Sequence, residues 1–217
     1  SFARRSTRSS EELTGNATLG RGLAQFAAGI SAVFQHFARA LKPGGPFVFT
    51  YHHNDPSAYL PLVLAVLDAE LDCTATLPAA AEMTASLHIA GTGSSILDSV
   101  FVCRKPLAPR RARARQVALP PDVGRECRAA LAADAAAMRD GGVGVTAGDL
   151  RCLLAGHVAR VAIRALRAAW DPAAPLPERL RTARHWLAQI TLLADVTTTV
   201  DAVASGRGAF KAIRGEY

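Results

Sequence analysis

Tyr51-His52-His53-Asn54 sets a phenol, two imidazoles and an amide in a row, directly after the apolar run Phe47-Val48-Phe49-Thr50. Imidazole exchanges protons near neutral pH, and the amide carries both donors and an acceptor. Such a group lines a ligand pocket or caps a strand end by bonding nearby backbone. A metal site from His52, His53 and His88 is opposed by geometry, because neighbouring residues on a strand point to opposite faces. Glu82, Ser86 and His88 form a second polar group, suited to touching substrate or to holding a loop together. With Asp98, Ser86 and His88 formally compose a Ser-His-acid hydrolase, but no G-x-S-x-G elbow surrounds Ser86. The third group, Arg104, Lys105, Arg110, Arg111, Arg113 and Arg115, runs without an acid. It fits a phosphate backbone, where such contacts give affinity rather than sequence, or a solvated linker.

The elements that must position these groups follow from periodicity. Leu23, Phe26, Ala27, Ile30, Val33, Phe34, Phe37 and Leu41 recur at three- and four-residue spacing, one apolar face of a helix. Lys42-Pro43-Gly44-Gly45 stops it, since proline cannot continue and paired glycines permit a sharp turn. Phe47 to Tyr51 then reads as a short buried parallel strand. Asn54 or Asp55 caps a helix over Ala58 to Leu71, which Pro61 restricts to starting nearby. Strands follow over Asp72 to Leu77, ending at Pro78, and over Leu97 to Arg104. A basic, Pro-rich linker occupies 106–122. Beyond it the chain reads as helical: Arg125 to Arg139, then a Thr146-x-x-Asp149 capping box opening a helix to about Trp170, then one or two helices from Glu178 to about Ala204. Arg160, Arg164 and Arg167 fall on one stripe of the long helix, either a charged outer face or a nucleic-acid contact.

Half of the 217 residues are hydrophobic, which is enough for a packed core and excludes a disordered tail. A net charge of +7 and a pI near 9.8 suit polyanion partners, or reflect an ordinary arginine-rich protein. Cys73, Cys103, Cys127 and Cys152 never stand at C-x-x-C spacing, so neither a zinc knuckle nor a redox pair is written in the sequence. Isolated thiols, no signal peptide and no uninterrupted apolar run of spanning length lead to the expectation of a cytoplasmic protein that does not enter a membrane. The polar, basic opening Ser1 to Ser10 reads as the middle of a longer protein.

The sharpest unit is helix, Leu41-Lys42-Pro43-Gly44-Gly45, strand. It resembles the turn into the fifth strand of class I (Rossmann-like) S-adenosylmethionine-dependent methyltransferases. Thr50-Tyr51-His52-His53, Pro78 with Glu82, Ser86-Leu87-His88 and Asp98 to Lys105 (DSVFVCRK) sharpen this. Together they are similar to the bacterial adenine-specific DNA methylases that carry an N-terminal domain of unknown function. Glu11-Glu12-Leu13 and the helix at Ala147 to Arg151 resemble further segments of those enzymes. The resemblance implies an α/β fold: the C-terminal half of a methyltransferase sheet over 1–105, its seventh strand inserted antiparallel, followed by an all-α extension over 123–217. It implies S-adenosylmethionine as cofactor, DNA as partner, and Tyr51, His52, His53, Asn54, Glu82, Ser86 and His88 as substrate-pocket candidates. It also exposes gaps. The (Asp/Asn)-Pro-Pro-(Tyr/Phe) tetrapeptide that holds a flipped adenine is missing, Asn54-Asp55-Pro56-Ser57 not being one, and so is the glycine-rich cofactor loop. The chain is therefore expected to be an incomplete part of such an enzyme, completed by an N-terminal portion or a partner chain. The alternatives are a non-catalytic nucleic-acid-binding or assembly module with a degenerate methyltransferase fold, or a methyltransferase of RNA, protein or small molecules.

Overall fold

The computed structural model describes residues 13, 22–80, 96–108, 116, 117, 119 and 121–205. Six helices and three strands occur among them: α1 Leu23–Ala40, β1 Pro46–Tyr51, a 3-10 turn Pro56–Tyr59, α2 Leu60–Asp68, β2 Asp72–Ala80, β3 Leu97–Arg104, α3 Val123–Asp140, α4 Ala147–Arg167, α5 Leu176–Ala194 and α6 Val196–Ala204. The sheet order is β1-β3-β2, and β3 runs antiparallel to both neighbours. The first and second strands are thus parallel to each other, joined by the α2 crossover, with the third lying between them.

The glycine turn does what its composition predicts. Gly44 adopts φ +75°, and a Cβ on Gly45 would lie 2.8 Å from the Lys42 carbonyl oxygen. The turn is pinned to the end of β3: Gly44 N–H donates to Lys105 O at 2.9 Å, and Lys105 N–H to Gly45 O at 3.1 Å. Helix α1 therefore returns directly over the sheet. Its buried line is Ala27, Ser31, Phe34 and Ala38; Leu23, Val33 and Phe37 of the expected apolar face are exposed. The stripe is shifted because Ser31 is drawn inward, donating to Asp68 Oδ2 at 2.6 Å. Phe34 packs against Phe47 and Phe49, and Phe49 stacks on Phe101, joining α1 to both strands.

Three expectations are corrected. β1 is not a buried parallel strand: it is an edge strand whose one partner among the described residues is antiparallel, and Pro46, Val48 and Thr50 are exposed. Its inner face is covered by helices, whereas Val48 and Leu77 lie on an outer face that no described helix covers. The helix expected over Ala58 to Leu71 is a 3-10 turn followed by the shorter α2, because Pro61 has no N–H and suits only the first turn. β2 continues through Pro78 to Ala80, which an edge strand tolerates since the missing N–H costs no ladder bond on its open side.

The arginine stripe of α4 is only partly a solvated face: Arg164 is exposed, whereas Arg160 and Arg167 are largely covered. α4 is buried on nearly all sides, against β2, β3, α2, α3, α5 and α6. Arg160 and Arg164 share Glu126 of α3. Arg167 reaches the far end of α2, donating to Val66 O and Leu67 O at 2.8 Å each and to Leu71 O, so a cation meets the carbonyl end of a helix. One hydrophobic cluster includes residues of both the 1–105 and 123–217 segments. α5 and α6, taken together as Leu176–Ala204, contain one 18-residue window apolar enough to cross a membrane (mean hydropathy 1.2). Asp195, at φ 47°, divides that stretch, and Arg179, Arg181 and Arg184 lie on α5.

Candidate functional site

At the carboxyl end of β1 the chain must leave the sheet and start the 3-10 turn. Asp55 makes that start, accepting from Ser57 N–H at 2.8 Å and from Ser57 Oγ at 2.7 Å. These hydrogen bonds hold its carboxyl below the usual aspartate value. Beneath lies a rigid base. Tyr59 is fully buried and its hydroxyl donates to His53 O at 3.1 Å and Cys152 O at 3.3 Å. Burial pushes its phenol far above the ordinary range, so it stays a neutral donor. Tyr51 meets Tyr59 edge to face at 4.8 Å and donates to Ala58 O at 3.1 Å.

The helix below the site is tied to it by Asp149. This buried carboxylate closes the capping box of α4 with Thr146 and accepts Ile96 N–H at 2.6 Å and Leu97 N–H at 3.0 Å at the start of β3. Ser99 donates to Cys152 O at 3.2 Å, at the same crossing where a Cβ on Gly156 would come within 2.5 Å of Ser99 Oγ. Strand and helix therefore approach as closely as a glycine allows.

On this base stand His52, His53 and Asn54, all exposed. His52 Nδ1 lies 3.0 Å from Leu97 O and 3.1 Å from Asp98 Oδ1. Both are acceptors, so Nδ1 carries the proton and Nε2 is left as the basic atom. His53 is held the opposite way. Asp55 N–H donates to His53 Nδ1 at 3.0 Å, so in the neutral ring Nε2 carries the proton. The two imidazoles thus offer one acceptor and one donor, and Asn54 adds an amide. A cleft of about 510 Å³ lies between the Asp55 turn and α5, with Leu23, Asp55, Ser57, Leu60 and Arg184 in its wall and none of His52, His53 or Asn54 among its lining.

The structure brings together Tyr51, His52, His53 and Asn54, and adds Tyr59, Asp98 and Cys152. Glu82, Ser86 and His88 lie outside the described residues, as do Arg110, Arg111, Arg113 and Arg115. Asp98, the acid of the hydrolase alternative, is engaged by His52. Among the described residues no group of three metal-ligating side chains converges. Arg104 and Lys105 sit at the other end of the sheet, about 17 Å along the strand direction, where Arg104 donates to Gly44 O at 3.2 Å and Lys105 to Leu41 O at 2.8 Å. Both side chains hold the glycine turn, so Arg104 and Lys105 do not share a site with the histidine group.

Two buried polar hubs escape sequence reasoning. Asp68 takes Ser31, Trp170 Nε1 at 2.9 Å, and Arg179. His157 joins Thr76 Oγ1 (2.9 Å) to Asp134 Oδ2 (2.7 Å), linking β2, α4 and α3. The only sequence signal for either is a polar residue at a core-facing position of an otherwise apolar helix. No protein-family model, curated protein or solved structure matches the chain.

Proposed function

We propose that this chain is the sheet-closing part of an S-adenosylmethionine-dependent methyltransferase acting on adenine in DNA, and that further polypeptide supplies the cofactor loop and the catalytic tetrapeptide. The observation that carries the reading is the order β1-β3-β2, with β3 inserted antiparallel between two parallel strands after the Leu41 to Gly45 turn. That is the placement the resemblance implies for the last three strands. The open edge of β1 supports it further, since a strand of this composition suits pairing on both sides.

In this reading the carboxyl end of β1 faces the substrate crevice, where open α/β sheets bind ligands. His52 Nε2 as acceptor, His53 Nε2–H as donor and the Asn54 amide match the mixed donor and acceptor edge of a purine. Their role is orientation rather than proton removal, because positioning and electrostatics carry such a transfer. Arg104 and Lys105, at the opposite end, are the described candidates for a DNA backbone.

The test is radiolabelled methyl transfer from S-adenosylmethionine to adenine-containing DNA, with the chain alone and with the full-length product of its reading frame. The expected result is transfer by the longer protein only, with kcat/KM lowered about tenfold or more in His52→Ala or Asn54→Ala at unchanged melting temperature. A longer protein that binds S-adenosylmethionine yet methylates no DNA would overturn the substrate, leaving RNA, protein or small-molecule transfer. The missing tetrapeptide and glycine loop favour a second reading, a non-catalytic nucleic-acid-binding or assembly module. Calorimetry on the longer protein separates the two, since the module binds no cofactor.

A further inference from the structure

Cys73 and Cys103 are thirty residues apart in sequence and show no redox spacing, but the sheet makes them partners. They stand directly opposite in the antiparallel β2–β3 register. Directly opposed residues of such a pair have Cα atoms about 4.5–5.5 Å apart and side chains on one face. That separation lies within the disulfide range of about 4.4–6.8 Å. Both thiols are buried and free, Cys103 completely and Cys73 with 9% exposure. We propose that Cys73 and Cys103 are a redox pair, closed to a cross-strand disulfide by hydroperoxides and reopened by dithiols.

The chemistry balances on the two sulfurs. Cys73, the more accessible, loses its proton and attacks one peroxide oxygen; the O–O bond breaks, the first water leaves, and a sulfenic acid remains. Cys103 sulfur then attacks Cys73 sulfur, the S–O bond breaks, and its proton departs with the second water. Two thiols and one hydrogen peroxide give one disulfide and two waters, the peroxide accepting the two electrons. The Cys73 thiol donates to Ala75 O at 3.7 Å, and the neighbouring Cys73 thiol, then burial, push the Cys103 thiol far above its usual range. Completely buried, Cys103 is protected from independent oxidation and reacts as the resolving partner. Position also favours closure. β2 is an edge strand, and the pairing slips one residue at Thr74, between Cys73 and Ala75, so the ladder beside Cys73 is already interrupted. The disulfide would fasten this edge strand to the central one.

The test is non-reducing peptide mapping of the intact chain. The folded protein is treated with hydrogen peroxide at a few equivalents, quenched with an alkylating agent, unfolded in that agent and digested. The expected result is a peptide linking Cys73 to Cys103, alkylated Cys127 and Cys152, a mass loss of about 2 Da before alkylation, and restoration by dithiothreitol. Cys73→Ser should abolish the bridge and leave Cys103 unoxidised. Four alkylated cysteines after treatment, or a bridge joining any other pair or two chains, would overturn the proposal. The mapping on unsubstituted protein decides the matter even if a Cys→Ser variant fails to fold.

Discussion

Replacing Asp149 by alanine should cost far more than an ordinary helix cap. The carboxylate serves two elements: it accepts Thr146 N–H at 2.8 Å and Thr146 Oγ1 at 2.7 Å at the head of α4, and it takes Ile96 N–H and Leu97 N–H where β3 begins. Loss of the cap is worth about 1 kcal/mol. Each buried amide left without an acceptor adds about 1–2 kcal/mol, since it loses its partner without regaining water. The sum is about 3–5 kcal/mol, a large fraction of the 5–15 kcal/mol that holds a typical domain. Urea unfolding followed by far-UV circular dichroism measures it, with Thr146→Ala as comparator. That variant removes the hydroxyl that accepts Asp149 N–H at 3.1 Å but leaves the β3 contacts, so about 1 kcal/mol is expected. Asp149→Asn keeps one acceptor oxygen and should fall between. If Asp149→Ala costs no more than Thr146→Ala, the carboxylate does not fasten β3 to α4 and the account of the site's base fails.

Gly156→Ala should destabilise by about 1–3 kcal/mol through overpacking against Ser99, and Ser99→Ala should recover part of that loss in the double variant by thermal melting. Arg167→Met should lose about 3 kcal/mol, because the α2 carbonyls at Val66 and Leu67 lose a buried cationic donor; a chemical-denaturation midpoint unchanged from wild type would refute that role. Burial alone would raise the Glu126 carboxyl, but the hydrogen bonds and charges of Arg164 and Arg160 outweigh it and hold it below the ordinary value of 4.5. A depressed folded pKa gives stability that is present above the unfolded value and lost as pH falls through the folded one. The urea-midpoint gap between wild type and Glu126→Gln should therefore be full at pH 7 and narrow as pH falls below the ordinary glutamate value of 4.5.

How much was legible follows from where each signal resides. Gly44 and Gly45 act through backbone alone, and Thr146 with Asp149 through a spacing of three, so both features stand in the sequence as plainly as in the structure. β3 was readable at its full extent, Leu97 to Arg104, because alternation is a local property. What was not legible depends on residues far apart. Arg160 looks like a surface until α3 brings Glu126 against it, and Arg167 looks solvated until the end of α2 arrives. The site divides the same way. The run of Tyr51 to Asn54 at a strand end was visible, but the tautomer of His52 is set by Leu97 O and Asp98, and no local pattern announces that pairing.

The side of β1 left unpaired among the described residues has a consequence for handling the molecule. Pro-Phe-Val-Phe-Thr-Tyr carries no charge, and its lone proline stands at the first position, so nothing along the strand repels a second copy. Natural edges are blunted by lysine, interior proline or a bulge; this one has none of these. Its solubility as an isolated chain should therefore fall steeply with concentration, and a single lysine at Val48, which is 55% exposed on the outer face, should act as a gatekeeper without touching the core.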